Sequence, residues 1–260
     1  MTSPAYPLTF AHANGFPGAC YQELFEALTP WEVIVPPCMG DRVRADEIRW
    51  DRFADELLES IVPLGRPVIG IGHSLGGVVT VLAAAKRPEC FRAVITLDPP
   101  LLAAWKRQVH AGLKRFKLAD RFTPAGKSRS RRDRFASREE AFAHFRQRGL
   151  FRNFSEKTLW LYIEHGLRDD GNGLTLTIPR EVEAEIFGGL PARLPKNISE
   201  LSGALFYATQ PALLTANDLK WWDRMLPRFE QYPLEAGHLF PLEAPELTAQ
   251  QLLTVLRQYE

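Results

Sequence analysis

One stretch, residues 68–77, constrains the fold of this chain more than any other. Its apolar and glycine residues predict a buried strand, and the apolar run at 78–85 that follows predicts a helix. Residues 72–76 between them match Gly-x-Ser-x-Gly, which is typical of a strand-to-helix turn that presents a nucleophilic serine above a parallel sheet. Both glycines are expected because such a turn has no room for a side chain. We therefore predict that Ser74 is a nucleophile at the positive end of a helix dipole, where an oxyanion is stabilised.

Strand and helix patterns alternate on both sides of this stretch. Strands are predicted at 7–12, 31–35, 91–97, 203–208 and 228–234, and helices at 21–28, 50–62, 217–226 and 247–259. This alternation predicts an α/β fold, with a mostly parallel sheet flanked by helices on both faces. The regularity stops between about 101 and 200, where the pattern is helical. We expect a core made of residues 1–100 and 201–260, with residues 101–200 inserted as a helical cap or lid.

The composition argues against several classes of protein. With 260 residues and 45% hydrophobic residues, the chain can build one large core, and its net charge of +1 gives no general attraction to nucleic acid or to an anionic membrane. Three cysteines without paired spacing argue against a disulfide framework and a zinc site. No apolar run is long enough to span a bilayer, and residues 1–8 lack the features of a signal peptide. We expect a cytoplasmic location, with no membrane span.

A dense basic run at residues 127–134 interrupts the inserted region. Because no aromatic residues alternate with its charges, we interpret it as a solvated loop or helix face and expect no nucleic-acid contact.

A serine nucleophile needs a base within hydrogen-bonding reach and a third group that orients the base. His238 follows the last predicted strand, and Gly237 before it lets the loop bend towards the serine. Two carboxylates remain candidates for the third group. Asp98 ends the strand at 91–97 and is favoured, whereas Asp218 is more typical of a helix cap. His73 flanks the nucleophile and is expected to point away from it.

An oxyanion hole needs two N–H donors. The amide of Leu75, directly after the serine, is one candidate. The second is the amide of Phe16 in the turn after the first strand, where Gly15 allows a close approach. His12, at the end of that strand, is a candidate to line the floor of the site.

Together these residues resemble the α/β-hydrolase superfamily over about residues 7–100 and 201–260. Residues 14–17 resemble the His-Gly-x-Pro turn of that family, although Asn14 stands where histidine is usual. The run at 205–246 resembles haloalkane dehalogenases and their luciferase relatives, which carry the acid after the earlier strand, and this resemblance favours Asp98. Those dehalogenases use an aspartate nucleophile. Because this chain has Ser74 there, dehalogenation and epoxide hydrolysis are not expected.

The resemblance and the residues together predict a serine hydrolase of the carboxylesterase type. Bulky side chains in the inserted region favour a small-molecule ester with an apolar or aromatic part, cleaved through an acyl-enzyme without metal or cofactor. The candidate substrate-binding residues are Gly15, His73, Trp105, Trp160 and Phe240. Cleavage of C–C or thioester bonds with the same residues, and a non-catalytic binding protein of the same fold, remain alternatives. Either a monomer or a homodimer is compatible with the sequence.

Overall fold

The computed structural model describes residues 5–116 and 118–260 of the chain. Residues 1–4, half of the stretch in which no signal peptide is expected, lie outside the described residues. In chain order, the strands are β1 (Leu8–Ala11), β2 (Val33–Ile34), β3 (Val68–His73), β4 (Phe91–Leu97), β5 (Arg134–Phe135), β6 (Leu167–Asp169), β7 (Leu174–Leu176), β8 (Ser202–Ala208) and β9 (Arg228–Leu234).

The α-helices are distributed along the chain between residues 22 and 256. They are α1 (Gln22–Ala27), α2 (Trp50–Ile61), α3 (Leu75–Lys86), α4 (Ala104–Arg115), α5 (Ala119–Phe122), α6 (Ala125–Ser130), α7 (Arg138–Arg146), α8 (Glu156–His165), α9 (Arg180–Phe187), α10 (Ala216–Met225), α11 (Phe240–Glu243) and α12 (Pro245–Leu256).

The main sheet has six strands in the order β2-β1-β3-β4-β8-β9, and each neighbouring pair is parallel. Strands β1 and β3 are buried along their whole length, as expected for a parallel sheet covered on both faces. Helices α1 and α12 pack together, and α2 packs on α3. The predicted α/β architecture, a parallel sheet with helices packed against it, is therefore confirmed, with strand ends within a few residues of those expected.

The strand order places the candidate residues on one edge of this sheet. The chain leaves β1 towards β2 and returns on the other side of β1 with β3, so the order reverses between β1 and β3. In open α/β sheets, ligands bind outside the carboxyl ends of the strands at such a reversal. Residues 12–17 follow β1, Ser74 follows β3, and Asp98 follows β4 at this edge.

The segment between β4 and β8, residues 98–201, departs from the alternation of strands and helices in the rest of the chain. It holds helices α4 to α9, and also an antiparallel sheet in the order β5-β7-β6 that the sequence analysis did not anticipate. These strands have only two or three residues each, too few for an alternation of apolar and polar residues to be recognised. Within the described residues, no helix combines the length and apolar character needed to cross a membrane.

Candidate active site

Ser74 lies at a strained turn between β3 and α3. Its backbone has φ 52° and ψ −115°, and its N–H donates a hydrogen bond to Leu97 O at 2.9 Å. The flanking glycines are sterically required. A Cβ on Gly72 would lie 2.2 Å from Gly76 O, and one on Gly76 would lie 1.9 Å from Ala11 O. The turn therefore presses α3 against β1 and β3, and close packing holds Ser74 in a conformation that serine rarely adopts.

The His238 imidazole lies between Ser74 and Asp98. Its Nε2 is 3.0 Å from Ser74 Oγ, and its Nδ1 is 2.6 Å from Asp98 Oδ2. An ionised carboxylate can only accept, so Nδ1 carries the proton and Nε2 is left to accept from the serine hydroxyl. The geometry thus brings together three residues that lie far apart in the chain.

Asp98 is anchored from the neighbouring strand. Its side chain is fully buried, Oδ1 accepts a hydrogen bond from the Ala208 amide at 3.1 Å, and its own N–H donates to Phe206 O at 2.7 Å. Its backbone φ of 45° is the second positive value at a non-glycine residue among those described. Both contacts come from β8, so the sheet fixes the carboxylate opposite the imidazole.

Asp218, the alternative acid, serves a different purpose. It closes a capping box with Thr215 at the start of α10, and it accepts hydrogen bonds from the Ala103 amide and from Lys106. Burial raises the pKa of this carboxyl, but the hydrogen bonds from Ala103, Lys106 and Thr215 outweigh it and lower the pKa below its usual value. Asp218 therefore ties α10 to α4 and does not contact His238.

His73 is buried beneath the site. Its Nε2–H donates to the backbone carbonyl of His238 at 2.9 Å, while Nδ1 accepts from the Tyr21 hydroxyl at 2.7 Å, which itself accepts from the Ala13 amide at 3.2 Å. Burial holds the pKa of His73 well below its usual value. The expected substrate contact of His73 is corrected: both ring nitrogens are occupied by protein groups, and the side chain holds the His238 loop in place.

The two amides expected to form an oxyanion hole differ in their surroundings. Leu75 N–H, at the first residue of α3, has no hydrogen-bond acceptor among the described residues, and Leu75 lines the cavity beside Ser74. Phe16 N–H donates to Ala13 O at 3.1 Å within the turn after β1. In this conformation the Phe16 amide is therefore engaged in the turn.

A cavity of about 890 Å³ opens above Ser74, between the main sheet and residues 98–201. Ser74, Leu75 and His238 form part of its floor. Part of the lining is apolar, with residues such as Leu102, Ile186, Phe187, Leu190 and Leu213. The lining also includes several basic residues and a histidine: Lys127, Arg131, Arg132, Arg148 and His144.

The other residues expected to bind substrate lie outside this cavity lining. Trp105 is 61% exposed on α4, Trp160 stacks on Phe142 at 4.5 Å between ring centroids, and Phe240 is buried next to His73. Gly15 lies directly against Glu183, a residue of the cavity lining, since a Cβ there would be 2.9 Å from Glu183 Oε1. These expectations are therefore corrected: aromatic content alone did not separate residues that line the cavity from those that pack elsewhere.

Sequence reasoning missed a buried polar group from α9. Glu183 is 6% exposed and lines the cavity, and its Oε2 lies 2.8 Å from an Arg131 Nη2 atom. Burial raises the pKa of this carboxyl despite the nearby guanidinium. Asn14, the departure from the usual histidine, donates to the Glu183 backbone carbonyl at 3.0 Å and so joins the turn after β1 to α9. The asparagine at position 14, where histidine is usual, was the only feature of the sequence that pointed to an unusual contact here.

Two known proteins are similar in sequence to parts of this chain. It is 24% identical over 112 residues to a monoglyceride lipase homologue of monkeypox virus, covering 38% of this chain and 40% of that protein. It is 49% identical over 37 residues to the monoglyceride lipase of Rattus norvegicus, covering 14% and 12%. These matches thus span less than half the length of either relative.

The fold as a whole is also found in solved structures. A thioesterase domain from the curacin biosynthetic pathway superposes with a TM-score of 0.72 at 18% identity, covering 98% of this chain and 93% of that domain. The model of one family, described as the alpha/beta hydrolase family, matches residues 10–251, which include every residue of the site described above. The chain therefore belongs to the alpha/beta hydrolase family.

Proposed function

We propose that this protein is a serine hydrolase that cleaves a carboxylic ester with an apolar or aromatic part through an acyl-enzyme. The observation that carries the proposal is the position of the His238 imidazole, in hydrogen-bonding reach of both Ser74 Oγ at 3.0 Å and the buried Asp98 carboxylate at 2.6 Å. The family and the partial likeness to lipases support a hydrolase. The ester specificity and the roles of the residues are our proposal.

In this mechanism Ser74 Oγ attacks the ester carbonyl as its proton passes to His238 Nε2. Asp98 stabilises the resulting imidazolium. His238 returns the proton to the leaving alcohol when the tetrahedral intermediate collapses to the acyl-enzyme. A water molecule, deprotonated by the same imidazole, then attacks the acyl group, and the acid product leaves with Ser74 restored. Every proton is thus passed through one imidazole.

The developing oxyanion would accept hydrogen bonds from the amides of Leu75 and Phe16. The Leu75 amide is available for this contact. The Phe16 amide must turn from Ala13 O, 3.1 Å away, or share its hydrogen between the two acceptors. A small adjustment of the turn on substrate binding is therefore part of the proposal, as apo geometry in such sites is commonly looser than in the reacting complex.

We further propose that residues 101–200 act as a cap over this reaction. Their side chains supply most of the lining of the cavity above Ser74, including the apolar residues Leu102 and Ile186. Phe16 packs against Tyr162 of this segment, at 5.3 Å between ring centroids, so the segment also contacts the oxyanion turn. Apolar lining residues of this kind suit an acyl chain or aromatic ring.

Free cysteines at positions 20, 38 and 90 support a reducing, cytoplasmic location.

The decisive experiment compares the wild-type protein with Ser74→Ala. The wild type should hydrolyse 4-nitrophenyl butyrate and be labelled by a fluorophosphonate probe, and Ser74→Ala should do neither while keeping the thermal unfolding of the wild type within a few degrees. Hydrolysis retained by Ser74→Ala would reject the mechanism. A wild type that is neither labelled nor active would favour a non-catalytic binding protein. If the matched thioester is hydrolysed faster than the ester, the proposed substrate class would be thioesters instead of carboxylic esters.

A further inference from the structure

Part of the basic run at residues 127–134 lines the cavity, although several of its side chains are exposed to solvent. Lys127, on α6, and Arg131 and Arg132, directly after it, all line the space above Ser74. Arg148, which follows α7, joins them from another part of the inserted segment. Four cationic side chains thus line the same cavity. We refer to Lys127, Arg131, Arg132 and Arg148 as the basic wall.

Most charges of the run are compensated. Arg129 pairs with Asp120 and Glu185, Arg131 with Glu183, Arg132 with Glu140, and Arg134 with Asp170. Within residues 5–116 and 118–260, Lys127 has no carboxylate partner within ion-pair distance. Lys127, the one cation of the run without a carboxylate partner among the described residues, is therefore a side chain that lines the cavity.

Arg148 is the second uncompensated cation of the basic wall. Among the described residues it has no carboxylate partner, and its Nε–H donates instead to His144 Nε2 at 3.3 Å. Partial burial and the charges of Arg148 and Arg132 lower the pKa of His144, which favours the neutral ring that can accept this hydrogen bond. The single acidic side chain lining the described part of the cavity, Glu183, is already paired with Arg131 at 2.8 Å.

We propose that the substrate carries an anionic group, a carboxylate or a phosphate, which binds to Lys127 and Arg148 while its scissile ester lies at Ser74. This inference rests on the proposed function and names its substrate class. The apolar residues of the cavity lining contact the hydrocarbon part of the same molecule, so the substrate is an ester with one hydrophobic and one anionic portion. Two cations without a counter-charge at an apolar cavity attract such a group and orient it, through charge-assisted hydrogen bonds.

The test compares substrates that differ only in this charge. The three compounds are 4-nitrophenyl hydrogen adipate, its ω-methyl ester and 4-nitrophenyl 5-phosphonopentanoate. We expect kcat/KM for at least one anionic compound to exceed that for the methyl ester by about tenfold, as one charge-assisted hydrogen bond would produce. The better anion identifies whether the wall is suited to a carboxylate or a phosphate. The preference should shrink as NaCl is raised, because the two cations are exposed to solvent.

Variants locate the effect. The double variant Lys127→Gln, Arg148→Gln should lower the ratio of kcat/KM between anionic and methyl esters to about one. The matched control, Arg152→Gln, Arg257→Gln, removes two exposed positive charges that do not line the cavity, and it should keep the wild-type ratio. An equal loss in both double variants would mean that only the net charge of the protein matters, and the anionic subsite would be rejected.

The possible failures are distinguishable. If the methyl ester and the anionic compounds are hydrolysed through Ser74 with equal kcat/KM, the proposed function stands and the anionic subsite is rejected. If no ester is hydrolysed, the proposed function fails, and calorimetry on Ser74→Ala with monomethyl adipate and dimethyl adipate decides the subsite by itself. Tighter binding of the monoacid, lost in the Lys127→Gln, Arg148→Gln background, would support it, and equal binding of the two compounds would overturn it.

Discussion

Asp98 Oδ2 lies 2.6 Å from His238 Nδ1, while Oδ1 of the same carboxylate accepts a hydrogen bond from the Ala208 amide at 3.1 Å. One oxygen therefore holds the imidazole and the other is held by β8. This pairing joins the end of β4 to the loop after β9, across the strand that lies between them. The orientation of His238 towards Ser74 thus depends on the registry of three strands.

Asp98→Asn keeps the size of the side chain but replaces one carboxylate oxygen with an N–H donor. A donor facing Nδ1 favours the tautomer with its proton on Nε2, which can no longer accept from Ser74. We expect kcat for 4-nitrophenyl butyrate to fall by about 10⁴-fold, with the protein still folded. Steady-state kinetics and a thermal melt measure the two properties.

Asp218→Asn is the matched control for that variant. It weakens the capping box of α10 and the bond to Lys106, so we expect a loss of about 1–3 kcal/mol in the free energy of unfolding. Its kcat should stay within a few-fold of the wild type. A collapse of kcat in Asp218→Asn together with little change in Asp98→Asn would reverse the assignment of the acid.

Gly76→Ala should prevent the turn at Ser74 from forming. The added Cβ would lie 1.9 Å from the backbone oxygen of Ala11, and neither partner is a flexible side-chain end that can move aside. We expect a loss of several kcal/mol in the free energy of unfolding, measured by urea denaturation, because a backbone clash in a packed interior has no cheap relaxation. Loss of esterase activity should accompany it.

Gly112→Ala provides the comparison for the same substitution in a helix. Nothing lies within 4 Å of a Cβ at Gly112 in α4, so the substitution should raise the free energy of unfolding by about 0.5–1 kcal/mol through helix propensity. Equal effects at Gly76 and Gly112 would show that the turn has the freedom to adjust.

Ser74 itself offers a test of strain. Its φ of 52° and ψ of −115° are imposed by the turn, and a glycine accepts this conformation more readily than an alanine. Glycine ordinarily lowers stability relative to alanine, but relief of about 1–3 kcal/mol of strain should reverse that order here. We expect Ser74→Gly to unfold at a higher urea concentration than Ser74→Ala. The usual order, with alanine more stable, would show that the turn carries little strain.

The sheet and its central turn could be predicted because their signals are local. An apolar run followed by Gly-x-Ser-x-Gly and a second apolar run specifies strand, turn and helix within about twenty residues. The steric need for Gly72 and Gly76 follows from the turn itself. The alternation of strands and helices indicated that the strands are parallel. In a parallel sheet the carboxyl ends of β3, β4 and β9 lie at one edge.

The lining of the cavity could not be predicted, because it depends on contacts between distant parts of the chain. Asn14 and Glu183 are 169 positions apart, and no periodicity links them. The basic run at 127–134 has the composition of a solvated surface. Its approach to the cavity depends on how α6 packs on α9, which the sequence pattern does not specify. Trp105 shows the opposite error, since a bulky residue in the inserted segment turned out to be 61% exposed.

Two buried histidines predict how stability depends on pH. His12 is 2% exposed, with Nδ1–H donating to Ala13 O at 2.8 Å and Nε2 accepting from the Met39 amide at 2.7 Å. Burial lowers the pKa of His12 to about 4, and burial also lowers that of His73. Below about pH 6.5 both rings are protonated in the unfolded chain, whereas burial favours the neutral ring in the folded protein, for His12 down to about pH 4.

The unfolded state binds more protons in this range, so the contribution of His12 to stability is complete above about pH 6.5 and is lost as the pH falls towards 4. For His12 alone the loss is about 1.4 kcal/mol for each pH unit and on the order of 3 kcal/mol in total. Urea denaturation at pH 7.5 and 5.0 should show a lower free energy of unfolding at pH 5.0. In His12→Gln the same comparison should give a smaller difference. An identical pH dependence in the two proteins would show that His12 is already protonated in the fold, contrary to its two hydrogen bonds with the backbone.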